Sequence, residues 1–116
     1  MTLNEQLEQA QLANQQREYD RAIALYDALL SQTEGLGNDP AGHPARLQAL
    51  AEKGEILRLR GEHRPALATF EQYLQEAQNQ HETATGLTLV GNQLSRLGQH
   101  HLALEHVRRA LQIAQE

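Results

Sequence analysis

The chain has no cysteine, no tryptophan, one lysine (Lys53) and three prolines (Pro40, Pro44 and Pro65) among its 116 residues. Without thiols there is no disulfide framework, no thiolate zinc site and no cysteine nucleophile. The aromatics are Tyr19, Tyr26, Phe70 and Tyr73 alone, and β-branched residues are few, so the material from which sheets are built is missing. An all-β fold is excluded. No stretch approaches the ~20 consecutive apolar residues of a membrane-spanning helix. The first residues, Met1-Thr-Leu-Asn-Glu-Gln, show neither the basic nor the apolar region of a secretory leader, and a soluble cytoplasmic protein is the expectation. Nor is there an excess of positive charge. Nine Arg and Lys53 are scattered among fifteen acids, for a net charge of −5, which argues against a phosphate backbone as partner. The one basic concentration, Arg96, Arg108 and Arg109 with His100, His101 and His106, reads as a solvated helix face.

What the chain has in quantity is leucine, alanine and glutamine, all compatible with helix. The length suits one domain. Apolar residues recur at i, i+3 and i+4 between turn residues, which predicts six helices over about 2–16, 19–32, 44–60, 63–79, 82–97 and 100 to the end. Thr2 and Glu5 have capping-box spacing. Pro44 and Pro65 suit first helical turns, where the missing N–H has no partner to lose. Gly61 and Gly98 suit left-handed stops. The Gly- and Pro-dense segment 34–44 is the one long loop.

The six helices form a repeat. An offset of 37 superposes Gly54 on Gly91, Leu57 on Leu94, Gly61 on Gly98, Ala66 on Ala103 and Phe70 on Val107. An offset of 44 places Ala10, Ala13, Ala22 and Tyr26 in the same frame. Three helix-turn-helix units result, over about 2–33, 44–79 and 82–116. Glycine inside a helix costs roughly 1 kcal/mol relative to alanine, so Gly54 and Gly91 need a compensating close approach. The expected partners are Ala66 and Ala103, with Tyr26, Leu29, Phe70, Tyr73, Val107 and Leu111 filling the flanking space.

At these positions the chain resembles the tetratricopeptide repeat (TPR) family. Tyr19-Asp-Arg-Ala-Ile-Ala-Leu-Tyr26 is similar to its most recognisable stretch, and Gly54, Ala66 and Phe70, then Gly91, Ala103 and Ala110, match the next two repeats. The spacings exceed the usual ~34 residues, and the family's tryptophan and closing proline are absent. The resemblance implies an all-α, six-helix right-handed αα-superhelix whose first helices line a concave face. On that face it implies Leu7, Gln11 and Asn14; Ala51, Glu55 and Arg58; and Thr88, Asn92 and Arg96. Amides and guanidinium groups there could hold a peptide main chain. The positions at which some members grip a carboxylate carry Leu7, Gln11, Glu52, Thr85 and Leu89, so that activity is not expected.

The expected function is therefore a scaffold or adaptor binding a protein or peptide, without cofactor, metal or nucleic acid. No two of His43, His63, His81, His100, His101 and His106 stand at i, i+4 on one helix, and there is no metalloprotease-type motif. Glu52 and Glu55 share a helix face, but Arg58 three residues after Glu55 makes an exposed ion pair the better account. The alternative to an adaptor is a self-associating structural module, or the repeat portion of a larger regulator. Leu67, Phe70 and Leu74 should be covered by the next repeat, whereas the equivalent Leu104, Val107 and Leu111 have no such cover in this sequence. A two-fold homodimer through the last helix would bury them.

Overall fold

The computed structural model describes residues 1–36 and 38–115. Gly37, inside the long loop, and Glu116, at the end of the third repeat, lie outside the described residues. The chain is all-α, with six helices in order: α1 (Leu3–Gln15), α2 (Tyr19–Gln32), α3 (Gly42–Leu59), α4 (His63–Glu76), α5 (Gln80–Arg96) and α6 (His100–Gln115). They pair into three hairpins, α1/α2, α3/α4 and α5/α6. α3 packs on the first hairpin and α5 on the second, giving a stacked helical-hairpin superhelix.

The repeat is written in the backbone as well as in the side chains. Each first helix ends at Gln15, Leu59 or Arg96 and each second helix starts at Tyr19, His63 or His100, at offsets of 44 and 37. The turns between them are alike: the N–H of Glu18, Glu62 and Gln99 donates to the carbonyl of Ala13, Leu57 and Leu94 at 2.9 Å. The turn needs a left-handed residue, supplied by Gly61 (φ 79°) and Gly98 (φ 82°). In the first repeat the same place is held by Arg17 at φ 61°, where a β-carbon is unfavourable.

Helix starts differ from the sequence reading where a side chain outside the helix does the capping. The Thr2 hydroxyl accepts from the Glu5 N–H at 3.1 Å, as its spacing predicts. α3 begins at Gly42 rather than near Pro44, because the Asp39 carboxylate accepts from the N–H groups of Ala41 and Gly42. α5 begins at Gln80 rather than Glu82, because the Asn79 side chain accepts from the Glu82 N–H at 2.8 Å.

The core is aliphatic and layered. Ala10, Ala22, Tyr26, Leu29, Ala49 and Ile56 join the first hairpin to α3, and Leu57, Ala66, Phe70, Val90, Leu94 and Ala103 join the second to the third. The helical glycines sit at close approaches, but the neighbour of Gly54 is not the expected Ala66. A β-carbon on Gly54 would fall 2.4 Å from Cε1 of Phe70, so the aromatic ring lies on the glycine. On Gly91 it would meet Val107 Cγ2 at 2.9 Å and the Ala103 carbonyl at 3.3 Å. A third such place is Gly86, whose β-carbon would stand 2.9 Å from the Cα of Leu74 on α4.

Candidate functional site

The first helices of the hairpins carry polar residues whose side chains are already engaged with one another. Glu52 of α3 is the hub. Its carboxylate accepts from the Tyr26 hydroxyl at 2.7 Å, from the Gln11 amide at 2.9 Å and from the Gln48 amide at 3.3 Å. Burial first, then the hydrogen bond to Glu52 and its charge, push the Tyr26 phenol well above its ordinary pKa of 10.0, and Asn14 reaches the same hydroxyl and acts the opposite way. Five groups from three helices thus meet in a junction between the first and second repeats. Glu55 forms an ion pair with Arg58, whose guanidinium holds that carboxyl below its usual range, with the charge of Arg96 on α5 adding to the effect.

Of the expected groove residues, then, Gln11, Asn14, Glu55 and Arg58 are held by intramolecular partners. Asn92 and Arg96 are exposed; Arg96 reaches the Asn92 carbonyl at 3.5 Å, and its charge acts on Glu55 of α3. The polar side chains on α1 and α3 are thus more fully engaged than those on α5.

A second polar cluster, absent from the sequence reading, fastens the outer side of the first junction. Arg46 is buried, with Nε and Nη2 on the two oxygens of Glu76 at 2.8 and 3.1 Å and Nη1 on the Leu30 carbonyl at 2.7 Å and the Thr33 hydroxyl at 3.0 Å. The hydrogen bonds from Arg46 hold the Glu76 carboxyl below its usual range. His43 Nε2 meets Glu82 at 2.9 Å, and Gln93, fully buried, donates to the His63 carbonyl at 2.9 Å. Gln93 had a legible signal: it superposes on Ile56 at the offset of 37, a polar residue at an apolar position. Among the described residues no three His, Asp or Glu side chains come together as a metal site, and no helix is long and apolar enough to cross a membrane.

An exposed apolar surface lies at the third hairpin. Leu104, Val107 and Leu111 are 48, 39 and 57% exposed, against 2% for Phe70, the residue equivalent to Val107. Val107 and Leu111, with Ala84, Thr88 and Leu89 of α5, line an open groove of about 460 Å³ between α5 and α6. Among the described residues His81 is the only titratable group in its lining. Its position is that of the cleft in the first hairpin occupied by α3 and of the cleft in the second occupied by α5.

No family model matches this chain, and no curated protein matches it closely enough to count as a relative.

Proposed function

We propose that the protein is a non-catalytic protein-binding module of TPR-like construction that captures a helical segment of a partner at the α5–α6 groove. The observation that carries this reading is the exposed stripe of Leu104, Val107 and Leu111 bordering a cleft that elsewhere in the same chain is filled by a helix. Burial of such side chains stabilises by ~1.5–3 kcal/mol each, so a complementary apolar helix gains most of its affinity there. The exposed Asn92 and Arg96 continue the surface along α5 and offer donors to a partner's main chain. The engaged state of Gln11, Asn14, Glu55 and Arg58 favours the α5–α6 end over the full concave face, because recruiting them requires breaking hydrogen bonds already made.

A second reading, a two-fold homodimer through α6, is favoured by the spacing of Leu104, Val107 and Leu111 at i, i+3 and i+7, which suits helix-to-helix packing. Two measurements separate the readings. A pull-down compares wild type with Leu104→Glu plus Leu111→Glu and with Asn92→Ala plus Arg96→Ala. Loss of the partner in the first variant is the expected result, and retention there with loss in the second places binding on the concave face instead. Light scattering after size exclusion reports the dimer directly.

A further inference from the structure

We infer that the third hairpin, α5 with α6, is a hinged unit that opens from the first two repeats ahead of global unfolding, and that Gln93 sets how readily it does so. The inference is independent of what the α5–α6 groove binds.

Both junctions between repeats bury an apolar cluster. At the first, Ala49 and Ile56 of α3 meet Ala10, Tyr26 and Leu29; at the second, Val90 and Leu94 of α5 meet Leu57, Ala66 and Phe70. The difference between the junctions is polar. Across the first, Glu52 accepts from Tyr26 at 2.7 Å and from Gln11 at 2.9 Å, Lys53 pairs with Asp27 at 2.6 Å and Arg60 with Asp20 at 2.8 Å. Arg46 Nη1 adds hydrogen bonds to the Leu30 carbonyl and the Thr33 hydroxyl. The second junction has a contact of Tyr73 with Thr85 and the attraction between Arg96 and Glu55. It is crossed besides by two polar pairs, His43 with Glu82 and Gln93 with His63, and each leaves an atom over. Among the described residues, the buried side-chain polar atoms without a partner are His43 Nδ1 and Gln93 Oε1. Both belong to this junction. A buried polar atom without a partner has given up its hydration for nothing, and opening returns it to water.

Of the two, Gln93 is set deeper, at 0% exposure. Its Nε2 donates to the His63 carbonyl at 2.9 Å and stands 3.1 Å from His63 Nδ1, which leaves the amide oxygen without a donor. At the first junction the same place in the repeat is held by Ile56, also fully buried. An amide where the frame calls for isoleucine also removes apolar area from the contact. The closed form is kept by the remaining apolar burial, against a polar term that favours opening.

The connections differ in the same sense. The second repeat passes to the third through residues 77–79, with Ala77 (φ −61°, ψ 135°) and Asn79 (φ −142°, ψ 172°) extended, so the direction of α5 can change without breaking a helix. The first connection is folded on itself, with the N–H groups of Leu36, Asp39 and His43 donating to the carbonyls of Thr33, Leu36 and Asp39. Within the third hairpin the halves are closely joined. Gly91 brings α5 against Val107 and the Ala103 carbonyl, and the Gln99 N–H closes the turn on the Leu94 carbonyl at 2.9 Å. Opening therefore moves α5 and α6 together and uncovers Leu57, Phe70 and Leu74 of the second hairpin.

Native-state hydrogen exchange of the full chain at pH 7, followed by NMR through a series of sub-denaturing urea concentrations, tests the hinge. Amides of α5 around Leu87–Leu94 and of α6 around Ala103–Ala110 should share one opening, about tenfold more frequent than that of the slowest amides of α1–α4 and with a smaller urea slope. Gln93→Ile should make this opening about tenfold rarer. Tyr26→Phe, which removes a hydrogen bond from the first junction, should speed exchange of the slowest amides of α1–α4 and leave α5 and α6 unchanged. One common opening for all six helices, α1 and α2 opening first, or α6 exchanging well ahead of α5 overturns the inference. So does a Tyr26→Phe variant that speeds α5 and α6 as much as the rest. An opening of unchanged frequency in Gln93→Ile overturns the role given to Gln93.

Discussion

Substituting alanine for Gly54 opposes two effects of known size, and the structure decides which is larger. Helix propensity favours alanine by about 1 kcal/mol at a mid-helix position such as this one. Against that stands the Phe70 ring, with three carbons at 2.4, 2.8 and 2.8 Å from the place the new β-carbon must occupy. Carbon atoms pack at about 3.5–4.0 Å, so the ring has to retreat by roughly 1 Å. It has little room, being 2% exposed and wedged among Leu57, Ala66, Val90 and Leu94. Overpacking of a filled core costs typically 1–3 kcal/mol beyond any local gain. Gly54→Ala should therefore lower stability by about 1–2 kcal/mol in urea denaturation, with an unchanged denaturant slope. The first repeat supplies the internal control, since Ala10 there coexists with Tyr26 in the equivalent places, both fully buried. The difference is one of ring placement, so Gly54→Ala combined with Phe70→Leu should show a favourable coupling of about 1 kcal/mol or more. A Gly54→Ala variant more stable than wild type by the propensity value would refute the claim that the ring needs the glycine.

Other substitutions test other parts of the argument. Arg17→Gly should raise the midpoint of thermal or urea unfolding by the equivalent of about 1 kcal/mol, because Arg17 holds the left-handed position that Gly61 and Gly98 hold in the later repeats. Arg46→Met should cost about 3 kcal/mol, since it leaves Glu76 without its paired cation and the Leu30 carbonyl and Thr33 hydroxyl without their donor. The same variant should flatten the acid limb of the stability profile. The folded Glu76 carboxyl lies below its ordinary value of 4.5, so the unfolded chain binds the extra proton, and the stability it contributes is present above that value and lost as pH falls through the folded one. At the other end of the scale, Tyr26 and Tyr73 are both raised above 10.0, by burial first and by Glu52 and Glu82 next. Folding holds their protons, so stability falls as pH rises beyond about 10, and ultraviolet difference titration should find two of the three tyrosines ionising late.

The candidate surface was only partly legible in the residues. Leu104, Val107 and Leu111 could be picked out in advance because the repeat frame says which faces of Phe70 and Leu74 a neighbouring helix must cover. The concave residues could not be judged in the same way. Gln11 and Glu52 stand 41 positions apart and meet at 2.9 Å, and nothing in their local sequence distinguishes a glutamine waiting for a ligand from one already bound to a carboxylate. Arg46 was invisible for a related reason: a lone arginine on a helix is ordinarily solvated, and its burial depends on Leu30, Thr33 and Glu76 arriving together.

Local rules, applied to the sequence alone, fix six helices, their hairpin pairing and the register of the repeat. Periodicity, a left-handed residue at Gly61 and Gly98, and the cap at Thr2 act within a few residues of where they are written, while Asp39 and Asn79, missed in the pattern, start α3 and α5 earlier than it places them. Only tertiary structure decides that Phe70 rather than Ala66 lies on Gly54, that Glu52 rather than a ligand satisfies Gln11, and that a groove opens between α5 and α6. Those outcomes depend on how close two backbones come and on which long side chain reaches which acceptor. Such distances are set by the packing of whole helices, and a pattern of residue types along one strand of sequence does not contain them.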